Sequence, residues 1–158
     1  MASGDYSFWL LNEWPGVCYQ VDCWGEQLRD TYQDINNVSH IAQLQRYLTV
    51  CEIARVYNGR AIPIRATSAE AALAFADKFF DFVYLDANHR YEAIKDDLKW
   101  WFPKTKPGGI FAGHDYLDGE LASGLYGVKS AVDEFATAHG LTVNVTREEI
   151  YKSWWIQL

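Results

Sequence analysis

Two short apolar segments, each followed at once by acidic and histidine side chains, most constrain what this chain can fold into. Residues 82–85 read Phe-Val-Tyr-Leu, and Asp86 and His89 follow them. Residues 109–113 are also mostly apolar, and the His-Asp pair 114–115 comes directly after. A short apolar run rich in aromatic and β-branched residues is typical of a strand buried on both faces of a sheet. Both segments are therefore predicted to be strands.

The side chains that follow these two strands are expected to meet. In an open parallel sheet, ligands bind in the crevice outside the carboxyl ends of the strands. Asp86 and His89 would lie at that edge, beside the 114–115 pair of the neighbouring strand. Carboxylate and imidazole groups gathered at one edge predict a chemical centre, and the rest of the chain can be interpreted as the scaffold that positions it.

The remaining sequence alternates strand and helix patterns, which predicts an α/β fold with a mainly parallel sheet and one domain over residues 1–158. The last two strand patterns have no helix between them, so they should form an antiparallel hairpin. Pro63 interrupts the ladder of its strand and indicates a sheet edge. Strand patterns cover residues 17–21, 61–65, 82–85, 109–113, 141–145 and 153–158, and helix patterns cover 7–14, 41–58, 69–78, 91–101 and 128–139, with Ser68 as the cap of the third helix.

Three other segments are expected to be irregular. Residues 25–40 are polar and mixed and are interpreted as a loop or lid, and residues 117–127 contain several glycines and are interpreted as a mobile connection. Pro107 and Gly108 are interpreted as the turn that leads into strand 109–113. Loops on a rigid scaffold usually carry specificity. The two longer segments would therefore form an apolar wall for a substrate, with Tyr32, Leu117, Leu125 and Tyr126 as its residues.

Composition and charge exclude several classes of protein. An apolar fraction of 49% is that of a folded globular chain and not of a disordered one. The net charge of −7 argues against a general nucleic-acid binder, because phosphate attraction needs a basic face. No apolar run reaches the roughly 18 residues of a transmembrane helix, and no signal peptide is visible. Cys18, Cys23 and Cys51 lack metal-site spacing and are expected to be reduced thiols, so a cytoplasmic protein without membrane contact is predicted.

Five sequence elements together resemble a known family. They are residues 81–91, Asp97, the Lys-Pro-Gly-Gly segment 106–109, the Gly-His-Asp-Tyr segment 113–116 and the Gly-Val pair 127–128. The chain resembles the class I S-adenosylmethionine-dependent methyltransferases. Within them it is most similar to the small-molecule O-methyltransferase-like group, which carries an Asp-x-x-His and a His-Asp-Tyr element. The resemblance runs from about Gly4 to the end of the chain.

The resemblance implies a Rossmann-like sheet with a C-terminal antiparallel hairpin and methyl transfer from S-adenosylmethionine to an oxygen of a small molecule. In the family, an acidic residue after the second strand accepts hydrogen bonds from the ribose, and here that residue is Asp22. Trp24 would lie against the adenine, Thr67 and Ser68 would contact it, and Gly4 belongs to the glycine-rich motif. The alternatives are a loop-capping Asp22, a packing role for Trp24 and a helix-capping role for Ser68.

The same resemblance implies roles for the residues of the predicted chemical centre. Asp86 would lie near the methyl donor and, in metal-dependent members, would bind a divalent cation together with His114 and Asp115. Carboxylates suit magnesium, whereas a mixed carboxylate and imidazole set also suits manganese, iron or zinc. His89 is the candidate general base, since its ordinary pKa lies near neutral pH. The alternative is that Asp86 and His89 only hydrogen-bond each other or nearby backbone.

The chain departs from the family pattern at its start. The family opens with a strand and a glycine-rich turn, and residues 4–7 match only the end of that motif. The family strand order 3-2-1-4-5-7-6 puts the unmatched strand at the sheet centre, where each buried unpaired backbone group would cost about 1–3 kcal/mol. The gap could be closed by pairing of the second and fourth family strands, by strand exchange in a homodimer, or by a longer protein.

Two alternatives to a methyltransferase stay open from the sequence. The first is a catalytically inactive methyltransferase-like subunit that acts in assembly or binding. The second is an enzyme of another class, such as a metal-dependent hydrolase that uses the Asp and His side chains. A nicotinamide-linked oxidoreductase is disfavoured because the sequence contains no Gly-x-Gly-x-x-Gly turn.

Overall fold

The computed structural model of the chain describes residues 4–28, 32 and 34–158. Two compact units, Met1–Ala71 and Ala72–Leu158, make up the chain. Strands alternate with helices in both, which confirms the predicted α/β class. Across the described residues, no helix combines the length and apolar character needed to cross a membrane.

The elements follow the predicted order with shifted boundaries. Five α-helices are present among the described residues: α1 (Asp5–Glu13), α2 (His40–Ala54), α3 (Ser68–Leu73), α4 (Tyr91–Trp101) and α5 (Val128–His139). Short 3-10 helices, Arg55–Tyr57 and Phe102–Lys104, extend α2 and α4. The strands are β1 (Cys18–Asp22), β2 (Ala61–Arg65), β3 (Phe80–Leu85), β4 (Thr105–Gly113), β5 (Asp118–Leu121), β6 (Gly124–Gly127), β7 (Asn144–Val145) and β8 (Trp154–Gln157).

The first unit is built on a parallel pair of strands, β1 and β2, in which Asp22 lies opposite Arg65. Within the described residues β2 pairs only with β1, so Pro63 lies in an edge strand as predicted. Helices α1 and α2 supply most of the apolar core beside these strands. That core consists of Phe8, Leu11, Trp24, Val50, Ala54 and Ala61.

The second unit contains a four-stranded sheet in the order β3-β4-β8-β7. The β3 and β4 strands are parallel, with Leu85 opposite Gly113 at their carboxyl ends. Strand β8 runs antiparallel to both β4 and β7, which confirms the predicted C-terminal hairpin. The parallel register brings the residues that follow β3 and β4 to one edge of the sheet.

Two predictions about this sheet were wrong. Pro107 and Gly108 form no separate turn but lie inside β4. They lie in a bulge, because Phe80 of β3 pairs with Thr105 whereas Phe82 pairs with Ile110. Strand β3 is not buried on both faces. Val83 and Leu85 on one face are buried, whereas Phe82 and Tyr84 on the other are half-buried. An apolar run shows that a strand is covered on at least one face, and the packing layers decide whether the other face is covered too.

Helix α3 begins at a different cap and ends earlier than predicted. Thr67, and not Ser68, caps it: the Thr67 backbone N–H and hydroxyl both donate to Glu70 Oε2, at 2.9 and 2.7 Å, and the Glu70 N–H lies 3.3 Å from Thr67 Oγ1. This reciprocal arrangement is a capping box. The hydrogen bonds of Thr67 hold the pKa of the Glu70 carboxyl below its usual range. The helix ends at Leu73 instead of Lys78.

Residues 117–127 were predicted to be irregular, but most of them form an ordered hairpin. Strands β5 and β6 pair antiparallel, with Asp118 opposite Gly127. Asp118 also caps α5, because the Ser130 backbone N–H donates to Asp118 Oδ1 at 3.1 Å and the Ser130 hydroxyl donates to Oδ2 at 2.7 Å. The hairpin is therefore fastened at its base to the helix that follows it.

Gly127 at the end of this hairpin lies too close to α4 to carry a side chain. A Cβ at Gly127 would come within 2.6 Å of Tyr91 Cβ and 2.8 Å of the Tyr91 backbone nitrogen. We expect Gly127→Ala to lower the free energy of unfolding by about 1–3 kcal/mol, the usual cost of overpacking. Urea denaturation measures this. Gly25→Ala is the matched control, because its nearest neighbour would be 3.7 Å away, and an equal effect of both changes would contradict the prediction.

Candidate active site

The ends of β3 and β4 deliver four polar side chains to one place. Asp86 follows β3 directly, and His89 lies in the short turn before α4, where Asn88 Oδ1 accepts the Arg90 N–H at 3.1 Å. His114 follows β4 directly, and its backbone N–H donates to the Leu85 carbonyl at 2.9 Å. That bond ties the carboxyl end of one strand to that of the other.

Asp115 occupies the centre of this group. Its side chain is 8% exposed, and its φ of 54° lies in the left-handed region that non-glycine residues rarely adopt. His89 Nε2 is 3.0 Å from Asp115 Oδ2, and His114 Nδ1 is 3.0 Å from Asp115 Oδ1. One carboxylate therefore holds two imidazoles, one on each oxygen.

Asp86 lies on the more open side of the group. Its side chain is 46% exposed, and its Oδ1 is 3.5 Å from His89 Nε2. His89 thus faces two carboxylates with the same ring nitrogen. The structure brings together all four residues that sequence analysis had singled out. It also contains the contact between Asp86 and His89 that was the alternative to a catalytic role.

The mutual contacts shift the pKa values in opposite directions. Burial alone would raise the pKa of the Asp115 carboxyl, but hydrogen bonds and positive charge from His114 and His89 outweigh it and hold that pKa well below its usual range. The hydrogen bond to Asp115 raises the pKa of His114 against the opposing effect of burial. Burial likewise opposes the charged form of Asp86, yet hydrogen bonding to His89 leaves its pKa lowered.

These shifts predict how stability depends on pH. A carboxyl with a depressed folded pKa contributes stability above its unfolded pKa of about 4, and that contribution is lost as the pH falls. An imidazole with a raised folded pKa contributes below its unfolded value of about 6.5 and loses the contribution as the pH rises. We therefore expect the Asp115–His114 pair to stabilise the fold most between about pH 4 and 6.5. Urea denaturation of wild type and Asp115→Asn across pH tests this, and a pH-independent difference would contradict it.

Three of the four residues could hold a metal ion. Asp86, His114 and Asp115 each offer one ligand atom, and these atoms lie within 4.8 Å of one another. Ligand atoms bound at about 2.0–2.2 Å from one ion lie at most about 4.4 Å apart, so small side-chain movements would close the set. Two carboxylate oxygens and one imidazole nitrogen fit a divalent transition ion such as Mn²⁺ better than a set of oxygens alone would.

Of the residues predicted to bind the donor, Asp86 lies in the second unit, and the others lie in the first: Gly4, Asp22, Trp24, Thr67 and Ser68. Asp22 ends β1, as predicted, and its Oδ1 accepts the Trp24 backbone N–H at 2.7 Å, which is the loop-capping contact considered as an alternative. Trp24 itself is fully buried, with its ring 5.0 Å from that of Tyr47. The structure therefore gives Trp24 the packing role, and we withdraw its assignment to the adenine. Thr67 and Ser68 follow β2, where Thr67 is engaged by Glu70.

The start of α1 is closely packed around Gly4, and a buried acceptor atom lies near it. Gly4 has a φ of 81°, and a Cβ there would come within 2.7 Å of the Phe8 ring. The N-cap residue Gly4 has no side chain with which to cap this helix. Close by, Gln20 donates to Ser7 Oγ at 2.5 Å, while its buried Oε1 has no hydrogen-bond partner among the described residues. A ligand donor at this position would satisfy Gln20, which sequence analysis missed.

Tyr126 is a second residue whose place the sequence did not reveal. It was predicted to line a substrate wall, but it is 6% exposed and its ring stacks on His89, with centroids 5.0 Å apart and planes at 10°. No spacing in the sequence signals a contact between residues 37 positions apart. Leu125, also predicted for the wall, is exposed, and Tyr32 belongs to segment 25–40, which is described only in part. His40 and His139 lie outside the cluster, as expected.

Comparison with known proteins gives a family match and a fold match. The sequence matches the family profile described as "Methyltransferase domain" over residues 2–116. A search of curated proteins found no significant match. Among solved structures, a Corynebacterium glutamicum protein aligns with 72% of this chain and 56% of its own length, at 12% identity and a TM-score of 0.55.

Two further solved structures carry ligands in their descriptions. The Burkholderia thailandensis 1,6-didemethyltoxoflavin-N1-methyltransferase, with bound 1,6-didemethyltoxoflavin and S-adenosylhomocysteine, aligns with 99% of this chain and 77% of its own, at 15% identity and a TM-score of 0.54. The O-methyltransferase from Bacillus cereus, in complex with SAH, aligns with 99% of this chain and 70% of its own, at 12% identity and a TM-score of 0.59. At these identities the likeness establishes the fold, and this chain spans only part of each of the three.

Proposed function

This chain belongs to the methyltransferase domain family, and on that premise we propose that it transfers a methyl group from S-adenosylmethionine to an oxygen of a small-molecule acceptor. The observation that carries the proposal is the cluster of Asp86, His89, His114 and Asp115 at the carboxyl ends of two parallel strands. Open α/β sheets bind their ligands at that edge.

Donor binding is assigned to the first unit. Asp22 would accept hydrogen bonds from the ribose hydroxyls, since it is the acidic residue at the end of β1. The buried Gln20 Oε1, which lies near Gly4 and the start of α1, would offer one acceptor to the rest of the donor. Thr67 and Ser68 would contact the adenine from the start of α3. The two methyltransferases of like fold that were solved with S-adenosylhomocysteine or SAH support the choice of donor.

The chemistry is assigned to the second unit. An acceptor hydroxyl would give its proton to the imidazole of His89 while its oxygen attacks the methyl carbon; the carbon–sulfur bond breaks and S-adenosylhomocysteine leaves. Asp115, 3.0 Å from His89 Nε2, would stabilise the imidazolium that forms. Asp86, 3.5 Å away, would add to that stabilisation.

A divalent metal fits the proposed site. Asp86, His114 and Asp115 would hold it, and the bound ion would supply a Lewis acid that lowers the pKa of the acceptor hydroxyl. His114 would then have to present a neutral ring nitrogen, which its raised pKa opposes at low pH. The imidazole ligand favours Mn²⁺ over Mg²⁺.

Binding of S-adenosylhomocysteine to the full chain tests the proposal. We expect isothermal titration calorimetry to show one site per chain, and mass spectrometry to show a gain of one methyl group in some member of a panel of phenols and alcohols. Amines in the same panel test the choice of oxygen, because one neighbour of like fold is an N1-methyltransferase. Absence of donor binding would overturn the proposal and favour the inactive-subunit alternative.

A further inference from the structure

The imidazole of His89 is held on its face as well as at its edge. Its Nε2 lies 3.0 Å from Asp115 Oδ2 and 3.5 Å from Asp86 Oδ1. Its face stacks on the ring of Tyr126, with the centroids 5.0 Å apart and the planes only 10° from parallel. The His89 side chain is 11% exposed. A ring enclosed in this way has one preferred orientation.

The residue next to Tyr126 holds the backbone of His89. The Gly127 N–H donates to the His89 carbonyl at 2.8 Å. Gly127 also packs directly against Tyr91, at the start of α4, with no room for a side chain. Two consecutive residues of β6 thus contact His89: Gly127 binds the main chain of His89, and Tyr126 stacks on its ring.

Tyr126 is itself held firmly by the hairpin. Its hydroxyl donates to Ser123 Oγ at 2.8 Å, and Ser123 Oγ lies 3.1 Å from the Tyr151 hydroxyl. The other end of the hairpin is anchored by the bonds between Asp118 and Ser130. The platform under His89 is therefore fixed at the tip and the base of the hairpin.

We propose that Tyr126 is a positioning residue that keeps the Nε2 of His89 beside the carboxylates of Asp115 and Asp86. A 180° rotation of the imidazole would put a ring carbon where Nε2 now lies beside the carboxylates. The imidazole cannot make this rotation without first separating from the Tyr126 ring. The consequence for catalysis rests on the proposed function, in which the imidazole of His89 receives the acceptor proton. The stacking itself does not depend on that function.

NMR of the four histidine rings tests this in the full chain. We expect the His89 ring protons, assigned through His89→Gln, to be shifted upfield by the Tyr126 ring and to show nuclear Overhauser contacts to it. Tyr126→Phe keeps the ring and should retain both signatures. Tyr126→Leu removes it, and the upfield shift should be lost and the His89 signals broadened by exchange between ring orientations. The His139 and His40 signals, which lie outside the cluster, should not move.

Two results would overturn the proposal: wild-type protein without the upfield shift and Overhauser contacts, or a folded Tyr126→Leu protein with unchanged His89 signals. The first of these needs no variant, so a failure of Tyr126→Leu to fold leaves the test intact. Calorimetry with S-adenosylhomocysteine separates this inference from the proposed function. A wild type that shows the stacking but binds no donor would refute only the proposed function.

Discussion

Replacement of Asp22 by Ala should weaken S-adenosylhomocysteine binding by about 100-fold or more. A carboxylate that accepts two ribose hydroxyls makes two charge-assisted hydrogen bonds, each worth about 1.5–3 kcal/mol, and each 1.4 kcal/mol is a factor of ten in affinity. Asp22 ends β1, and open α/β sheets bind ligands at the carboxyl ends of their strands. Calorimetry of the two proteins side by side measures the ratio.

Asp22 also has a structural contact, which the control must separate from ligand binding. Its Oδ1 accepts the Trp24 backbone N–H at 2.7 Å. Asp22→Asn keeps an oxygen for that contact but removes the charge, so it should preserve the unfolding free energy while still losing most of the donor affinity. Full affinity in Asp22→Asn would contradict the ribose assignment and leave Asp22 with the loop-capping role only.

Replacement of Asp115 by Asn should weaken Mn²⁺ binding by more than about 100-fold and slow methyl transfer. Mutation of a residue that hydrogen-bonds to a metal ligand usually lowers metal affinity by about 10–100-fold. Because Asp115 would be a ligand itself, loss of its charge should lower the affinity by more than about 100-fold. Asp115 also holds the rings of His89 and His114, each at 3.0 Å, so its neutralisation loosens both. Calorimetric titration with Mn²⁺ and with Mg²⁺ measures the effect, and wild type should prefer Mn²⁺.

Asp81→Asn is the matched control for this experiment. Asp81 is an exposed carboxylate on β3, paired with Lys106 at 2.8 Å and outside the cluster. Its removal should leave Mn²⁺ affinity unchanged, because an exposed ion pair contributes little. Equal Mn²⁺ affinity in wild type and Asp115→Asn would refute the metal assignment, while donor binding by the same proteins would leave the methyl-transfer proposal standing.

The local pattern of the sequence was enough to predict most of the elements. Apolar runs and helical spacing depend only on neighbouring residues, so β2, α4 and the C-terminal hairpin were found where expected. Errors occurred where two local signals compete. Thr67 and Ser68 can both cap α3, and the sequence contains the Thr-x-x-Glu spacing that decides for Thr67. The glycines of 117–127 suggested irregular structure, whereas they allow the turns of a hairpin.

By itself, then, the sequence determined the α/β alternation and the arrival of Asp86 and the 114–115 pair at one sheet edge, because parallel strands with helical crossovers leave few other arrangements. Only the tertiary structure decided that Asp115 would hold two imidazoles and that Tyr126 would stack on His89. Those contacts depend on the register between β3 and β4 and on the path of the hairpin. Such registers are set by packing between distant residues, which no local pattern records.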